Sequence, residues 1–303
     1  MSIIIYWSPL HGQGQTSNLH VSAFIMSILH KKRVLMLQTH FSKNNLEGPL
    51  VGQNSGIHSY KNELFQDIGL DAAVTYSNIN KLNLQTLESC CLTFHGTSLL
   101  LLPGSETNNR ETFDRDIGKK IMKLIRDAEE FVDLVLIDAN SGEDDLSFQL
   151  MSIADLIVIN LTQRRHVLEK FIFDYGERFV YDRKVFYLFG DYDNNSVCNI
   201  NNCRIKFRKY MNKANSGIIP YCTKYMDAQN ESDIVGFLKD GLPVKEYSLR
   251  EKSVRFLKRR ITSHKYIPAE TDYFFRYSRL TAVKMLALLH ISTDANRLEG
   301  KKK

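Results

Sequence analysis

Residues 7–17 decide the fold and read Trp7-Ser8-Pro9-Leu10-His11-Gly12-Gln13-Gly14-Gln15-Thr16-Ser17. The apolar run Ile3–Trp7 leads into this stretch, and the segment Thr16–His30 that follows has apolar residues at helical spacing. A strand–loop–helix junction aims backbone N–H groups at one point, and glycines let that backbone approach phosphate oxygens closely. In such a loop a hydroxyl at the position of Thr16 binds magnesium. The stretch therefore predicts a phosphate-holding turn near the start of an α/β domain.

Short apolar runs rich in Ile, Val and Leu recur along the chain between longer polar or amphipathic segments. Their hydrophobicity is continuous rather than alternating, which is typical of strands covered on both faces. Helices between such strands imply right-handed crossovers in a parallel sheet. We therefore predict a doubly wound α/β fold, with a mostly parallel sheet flanked by helices on both faces. The predicted strands are Ile3–Trp7, Arg33–Leu37, Ser98–Leu102, Leu134–Ile137, Leu156–Asn160, Val185–Phe189 and Ile218–Pro220.

Three crossover helices and one loop are predicted between these strands. The helices are Thr16–His30, Ile117–Phe131 and Val167–Val180, each with apolar residues on one face. The segment Asp191–Asn202 is polar and rich in Asn, which predicts a loop.

The chain is predicted to divide near Leu242-Pro243 into a P-loop-type domain, residues 1–242, and a basic helical C-terminal extension, residues 243–303. The net charge of the whole chain is +6, yet residues 243–303 hold 15 Lys and Arg against 6 Asp and Glu, so residues 1–242 carry −3. Helices are predicted at Glu246–Ile261 and Asp272–His290, both packing back on the domain. The basic surplus favours an anionic partner (lipid headgroups, nucleic acid or an acidic protein face) or, alternatively, a solvated helical face.

The sequence predicts a cytoplasmic protein with free thiols. It has no run of eighteen apolar residues, and its apolar start lacks the basic leader of a signal peptide. The cysteines are odd in number and show no C-x-x-C pair, so neither a disulfide framework nor a structural zinc site is indicated. They are Cys90, Cys91, Cys198, Cys203 and Cys222.

The phosphate loop resembles that of the MinD/ParA-like (SIMIBI-class) P-loop NTPase family, which reads Lys-Gly-Gly-x-Gly-Lys-Thr-Thr. The matching residues here are Leu10-His11-Gly12-Gln13-Gly14-Gln15-Thr16-Ser17. Two glycines and the Thr-Ser pair are kept. The family's signature lysine falls on Leu10 and its P-loop lysine on Gln15, so the phosphate loop is degenerate.

The resemblance extends over roughly residues 1–240. Asp133–Gly142 looks like the family's Walker B-type strand, which ends here in Asp138 and is followed by a switch glycine. The family's second strand ends in an Asp-x-Asp pair, whereas this chain has Gln38-Thr39-His40. Gly190-Asp191 stands where the family often has an adenine-reading Asn. Further matching segments are Leu99–Gly104, Ala154–Ile159 and Ile219-Pro220-Tyr221.

The resemblance implies a nucleotide site for ATP or ADP with Mg. The magnesium ligands that it implies are Thr16 and Asp138, and no residue is assigned a catalytic role. Losing one preorganised donor to the transferred phosphoryl group costs about 2.7–4 kcal/mol, so missing lysines predict weak hydrolysis or none. In the alternative interpretation the glycines only form a tight turn, and Asp138 is a buried, hydrogen-bonded carboxylate. The predicted nucleotide-binding residues are His11, Gly12, Gln13, Gly14, Gln15, Thr16 and Ser17.

Three functions are consistent with these features. The first, implied by the resemblance, is a homodimeric spatial organiser or scaffold for partitioning or for pilus or secretion assembly, as in the TadZ/CpaE branch. It would be cytoplasmic or peripheral to the inner face of the membrane, with protein partners in a membrane-associated assembly. The second is an active ATPase in which Arg or Lys residues from elsewhere in the chain, for example Arg164 and Arg165, replace the missing lysines; a surface pair at the start of a helix is the alternative interpretation of these two arginines. The third is a module that binds an anionic membrane or nucleic acid through residues 244–303, where Lys252, Arg255, Lys258, Arg259 and Arg260 cluster.

Overall fold

A computed structural model describes residues 1–40, 46–51, 68–105, 107, 109–179, 184–242 and 270–292. Its centre is one sheet of eight strands in the order β3-β4-β2-β5-β1-β6-β7-β8. All neighbours pair in parallel except β3 and β4, which are antiparallel. The strands are β1 Ser2–Trp7, β2 Val34–Gln38, β3 Leu92–Thr93, β4 Leu99–Leu101, β5 Leu134–Asp138, β6 Leu156–Leu161, β7 Val185–Tyr192 and β8 Ser216–Pro220.

The predicted fold class is confirmed, and each of the seven predicted strands is found within a few residues of its expected ends. Continuous burial explains this success, because every residue of β2, β5 and β6 is buried. The short strand β3 was not predicted, since two residues carry no readable pattern.

Helices cover both faces of the sheet. They are α1 Gln15–Ile28, α2 Gly48–Val51, α3 Leu70–Asn78, α4 Leu84–Cys90, α5 Arg110–Phe113, α6 Lys119–Ala128, α7 Asp145–Ile153, α8 Arg165–Phe179, α9 Ile200–Lys206, α10 Thr223–Asn230, α11 Ile234–Gly241 and α12 Glu270–Leu288, with a π-helical turn Asp114–Gly118 between α5 and α6.

The predicted loop at Asp191–Asn202 is wrong at both of its ends. Strand β7 continues to Tyr192, and α9 begins at Ile200. The helix starts there because the Asn199 side chain accepts hydrogen bonds from the backbone N–H groups of Asn201 and Asn202. An Asn-rich sequence therefore supplies a helix cap as well as a turn.

Two hydrophobic cores form, one on each face of the sheet. One contains the side chains of Ile3, Ile5 and Trp7, together with α6 and α8. The other contains Ile4 and Tyr6, together with α1 and α12. Successive side chains of β1 thus point into opposite cores, as the two-residue period of a strand requires. The end of β1 therefore lies between the two helical layers.

The C-terminal helix α12 lies on the domain, as predicted. Its residues Phe274, Met285 and Leu286 are fully buried in the second core, beside α1. Thr281 of α12 hydrogen-bonds with both the backbone N–H and the carbonyl of Ile218 in β8. The other predicted helix, Glu246–Ile261, lies outside the described residues, and the division of the chain near residue 242 stays a prediction.

None of the helices that the structure describes is both long enough and apolar enough to cross a membrane.

Candidate phosphate-loop site

The phosphate loop lies at the carboxyl end of β1, where the chain path reverses. Strand β1 is flanked by β5 on one side and β6 on the other. Open α/β sheets bind ligands outside the carboxyl ends of such strands, at the topological switch point. Trp7, the last residue of β1, donates its indole N–H to the Gly142 carbonyl at 3.0 Å, which joins the start of the loop to the segment after β5.

Two glycines shape the loop backbone. Gly12 has φ +74° and Gly14 has φ +70°, which are left-handed conformations that side-chain-bearing residues rarely adopt. Gly14 directly precedes α1, and its carbonyl accepts the Asn18 N–H at 2.9 Å. No side chain caps this end of the helix. The sequence therefore builds the turn it predicted, with the first N–H groups of α1 facing the loop.

Gln15, at the position of the missing lysine, is buried and turned toward the sheet. Its amide N–H group donates to Asp138 Oδ1 at 2.7 Å and to the Ala139 carbonyl at 2.6 Å. Its amide oxygen accepts the Ser8 hydroxyl at 2.9 Å. Every polar atom of this side chain is thus used inside the protein, and the amide stands in for a cation beside Asp138.

Asp138 is fully buried at the end of β5. Its Oδ2 accepts the Thr16 hydroxyl at 2.6 Å and lies 3.8 Å from His40 Nε2. Burial raises the pKa of Asp138, while His40, Thr16 and Gln15 act in the opposite direction. The carboxyl group is therefore held by donors on both oxygens within a region that favours its neutral form.

The pair of Thr16 and Asp138 fits magnesium only together with a nucleotide. Hydroxyl and carboxylate oxygens are ligands that Mg²⁺ prefers, and it is commonly held by one or two carboxylates plus phosphate oxygens and water. No group of three or more His, Cys, Asp or Glu side chains suited to a metal occurs among residues that the structure describes. Phosphate oxygens would have to complete the ion's coordination.

The remaining predicted site residues have separate surroundings. His11 and Gly12 are exposed. Gln13 is buried, and its amide oxygen accepts the Thr162 hydroxyl at 2.8 Å. Ser17 faces α10, where its hydroxyl accepts the Gln229 amide at 2.6 Å. Gln13 thus ties the loop to Thr162, the residue after β6, and Ser17 ties the start of α1 to α10, while His11 is exposed.

A second polar group beneath the loop was not foreseen. Asn18 donates to Asn160 Oδ1 at 3.0 Å, and Asn160 donates to the Trp7 carbonyl at 3.2 Å. Gly190 lies against this pair, since a Cβ built there would come within 2.6 Å of Asn18 Nδ2. The available signal was Asn160 itself, a polar residue within an otherwise apolar strand sequence.

Two histidines and two arginines complete the comparison with the sequence. The side chain of His40 is only 13% exposed because it packs beside Asp138. His11, by contrast, is exposed. Arg165 donates to Glu169 at 2.9 Å on its own helix and is 74% exposed, which agrees with a surface pair. Arg164 is also exposed.

A glycine-containing loop between β1 and α1, with Thr16 beside the aspartate at the end of β5, is the arrangement of the P-loop NTPase folds. No protein-family model and no curated protein matches the sequence. Solved structures match its fold, and their identities to this chain are low enough that the likeness concerns the fold alone.

The particular fold is that of the MinD/ParA type. A ParA-family ATPase from Chlorobium tepidum matches with a TM-score of 0.62 at 16% identity, over 84% of this chain and 98% of its own. The cell-division ATPase MinD from Pyrococcus furiosus matches with a TM-score of 0.58 at 14% identity, over 95% and 100%. The septum site-determining protein MinD from Pyrococcus horikoshii, complexed with Mg-ADP, matches with a TM-score of 0.53 at 14% identity, over 81% and 96%.

Proposed function

We propose that this protein is a MinD/ParA-like organiser or scaffold that binds a nucleotide weakly and hydrolyses it little or not at all. The observation that carries the proposal is Gln15. A neutral amide replaces the P-loop lysine and is bound to Asp138 and Ala139 rather than directed toward the loop's mouth.

Hydrolysis is disfavoured by the charges that are missing. Phosphoryl transfer depends on positioning the transferred phosphoryl group and on neutralising its charge. Leu10 and Gln15 occupy the two lysine positions of the family, so both of these positive charges are missing. The strand-end acids are missing as well, and Gln38 instead accepts the Leu46 N–H at 3.0 Å. At about 2.7–4 kcal/mol for each lost donor, turnover should fall at least a hundredfold below that of a complete site.

Weak binding is supported by the parts that remain. The loop backbone and the start of α1 supply N–H groups for phosphate oxygens, and their dipoles favour an anion. Thr16 and Asp138 would hold Mg²⁺, which would neutralise phosphate charge when bound. To do so, Thr16 must give up its hydrogen bond to Asp138, and Asp138 must be ionised despite its burial. Both requirements reduce affinity for Mg-nucleotide.

An active ATPase with substitute arginines has less support. Arg165 is engaged by Glu169, which also accepts a hydrogen bond from Lys206 at 2.5 Å. For Arg165 to reach a phosphate it would have to leave this exposed ion pair. Magnesium-dependent phosphate release abolished by Arg165→Gln would favour this alternative.

The test is equilibrium binding of labelled ATP and ADP with magnesium, with oligomeric state and phosphate release measured in the same samples. We expect weak binding, nucleotide-dependent dimerisation and negligible release. Gln15→Lys should tighten binding about tenfold or more, because a charge-assisted hydrogen bond contributes about 1.5–3 kcal/mol. Thr16→Ala is the matched loss-of-ligand control. No binding to either the wild-type protein or Gln15→Lys would show that the loop is only a structural turn.

The basic C-terminal region, residues 244–303, is proposed as the contact with an anionic membrane surface or nucleic acid at the inner face of the cell membrane. Its support is the charge surplus of that region. A variant with Lys252, Arg255, Lys258 and Arg259 changed to Gln tests it. Salt-sensitive binding to anionic vesicles or duplex DNA should be lost in this variant and kept in the wild type. Binding that is absent in both, or equal in both, would exclude this role.

A further inference from the structure

Two cysteines lie side by side at a cleft away from the phosphate loop. The cleft has a volume of roughly 680 Å³ and is lined by residues of α8, of α9 and of the segment before α9. Leu168, Val197 and Phe207 contribute apolar walls, while Arg165 and Lys206 are its cations. These cations share one carboxylate, Glu169, which leaves a net positive charge at the rim. Cys198 and Cys203 lie on the same lining.

The two sulfur atoms are already close. Cys198 Sγ and Cys203 Sγ are 3.7 Å apart, whereas a disulfide bond requires about 2.05 Å. A shift of the segment before α9 by under about 2 Å would bring them to bonding distance. Cys203 lies in α9, whereas Cys198 lies in the segment before it.

The segment that carries Cys198 is held in place by hydrogen bonds. Gln163 donates to the carbonyls of Cys198 at 3.0 Å and Asp193 at 2.9 Å, and it accepts the Asp193 N–H at 2.7 Å. The Ile200 N–H donates to the Tyr192 hydroxyl at 3.1 Å. The sulfur atoms therefore face each other in an ordered arrangement, so little chain entropy opposes their joining, while the small shift that joins them must strain these hydrogen bonds.

The two thiols differ in access. Both thiols line the cleft, but Cys198 is partly exposed and Cys203 is buried. Burial and the neighbouring Cys198 raise the pKa of Cys203 to about 12, which keeps this thiol protonated and slow to react alone. The outer thiol is thus the first to meet a reagent, and the cationic rim attracts reagents that carry negative charge.

We propose that Cys198 and Cys203 are a redox-active pair. They form a reversible disulfide bond with each other by exchange with anionic low-molecular-weight disulfides of the glutathione class. The Cys198 thiolate attacks one sulfur of the reagent, its proton goes to solvent, and one small thiol leaves. Cys203 then loses its proton and displaces the second small thiol from Cys198. Two protein thiols are oxidised and one small disulfide is reduced to two thiols, so atoms and electrons balance.

The test uses the full-length protein equilibrated in glutathione buffers from fully reduced to fully oxidised, then denatured and alkylated. Trypsin cleaves after Lys184 and Arg204, so one peptide, residues 185–204, contains both cysteines. We expect this peptide to change from doubly alkylated to unalkylated and lighter by two hydrogens. A peptide that stays doubly alkylated, or carries only a glutathione adduct, would overturn the proposal.

Cys222 provides an internal control within the same digest. Cys222 is buried like Cys203, but no hydrogen bond of the described residues joins it to another sulfur atom. It is the one cysteine of the tryptic peptide 214–224. We expect it to stay a thiol throughout.

In Cys198→Ser, Cys203 should also stay a thiol, with thermal unfolding confirming that this variant folds. A glutathione adduct on Cys203 in this variant would contradict the assigned order of attack.

Discussion

At the scale of the residue, the replacement of a lysine by Gln15 changes more than a charge. A lysine beside Asp138 would offer a cation that favours the ionised carboxylate. Gln15 offers one neutral amide that donates to Asp138 Oδ1 and accepts from Ser8, so this carboxyl oxygen has a donor without a cation at position 15. Because an unsatisfied buried polar atom costs about 1–3 kcal/mol, this network contributes to the stability of the fold whether or not a nucleotide binds.

Removing the Gln15 amide should therefore destabilise the fold. Gln15→Met keeps the length of the side chain but leaves Asp138 Oδ1 and the Ala139 carbonyl without this donor. We expect a loss of about 1–3 kcal/mol in the free energy of unfolding, measured with urea. Gln13→Met is the matched control, because Gln13 makes fewer hydrogen bonds and touches neither acceptor. Equal stabilities of wild type and Gln15→Met would contradict this role.

Asp138 should give the stability a characteristic pH dependence. Burial raises its pKa from the ordinary value of 3.8, so the native state binds this proton more tightly than the unfolded chain. That stabilisation is complete below the ordinary pKa and is lost as the pH rises through the raised pKa. Asp138→Asn cannot ionise and lacks this loss. The difference in unfolding temperature, Asp138→Asn minus wild type, should therefore grow as the pH rises above the ordinary pKa of 3.8; a difference that stays constant with pH would count against this role.

At the scale of the element, helix α12 completes the edge of the sheet. β8 is the last strand, and unpaired edge groups are commonly covered in natural proteins. Thr281 accepts the Ile218 N–H at 3.0 Å and donates to the Ile218 carbonyl at 2.8 Å. Gly217 permits this contact, since a Cβ there would lie 2.6 Å from Thr281 Oγ1. The sequence of α12 is thus matched to one edge strand.

Thr281→Val tests this contact with a nearly isosteric side chain. It leaves a buried N–H and a buried carbonyl of Ile218 without their side-chain partner, so we expect a loss of about 1–3 kcal/mol in the free energy of unfolding. Thr281→Ser keeps the hydroxyl and should retain most of that stability. If the Val and Ser variants unfold at the same denaturant concentration, the hydrogen bonds contribute nothing measurable.

At the scale of the whole molecule, the basic region and the core cannot be separated by simple truncation. Deleting residues 243–303 removes α12, whose Phe274, Met285 and Leu286 are fully buried against the sheet. We expect the truncated chain to lose cooperative thermal unfolding, because deleting one large buried side chain already costs about 2–5 kcal/mol. A cooperative transition at the wild-type temperature would show that residues 1–242 fold independently.

Deletion of residues 293–303 alone is the matched control. It removes terminal charge, including the three final lysines, but leaves α12 whole. We expect its unfolding to match that of the full-length protein in circular dichroism. A deletion beginning at residue 244 would remove α12 together with the basic residues. Charge substitutions are therefore the appropriate test of anionic binding.

The sequence by itself determined the architecture and the turn. Continuous apolar runs located the buried strands, and Gly12 and Gly14 marked the left-handed turn. Both features could be predicted because each depends only on residues that are close together in the sequence. The missing lysines and acids were also readable. The contacts of α3, α4 and β3 were not, since short segments with mixed polarity depend on packing for their conformation.

Only the tertiary structure decided what the altered loop does. Gln15 and Asp138 are 123 positions apart, and their hydrogen bond depends on the parallel pairing of β1 with β5. The same holds for Asn18 with Asn160, for His40 beside Asp138, and for the facing sulfurs of Cys198 and Cys203. Local sequence fixes backbone conformation, but the partner of a buried polar group is set by strand order and register, which no short window of residues contains.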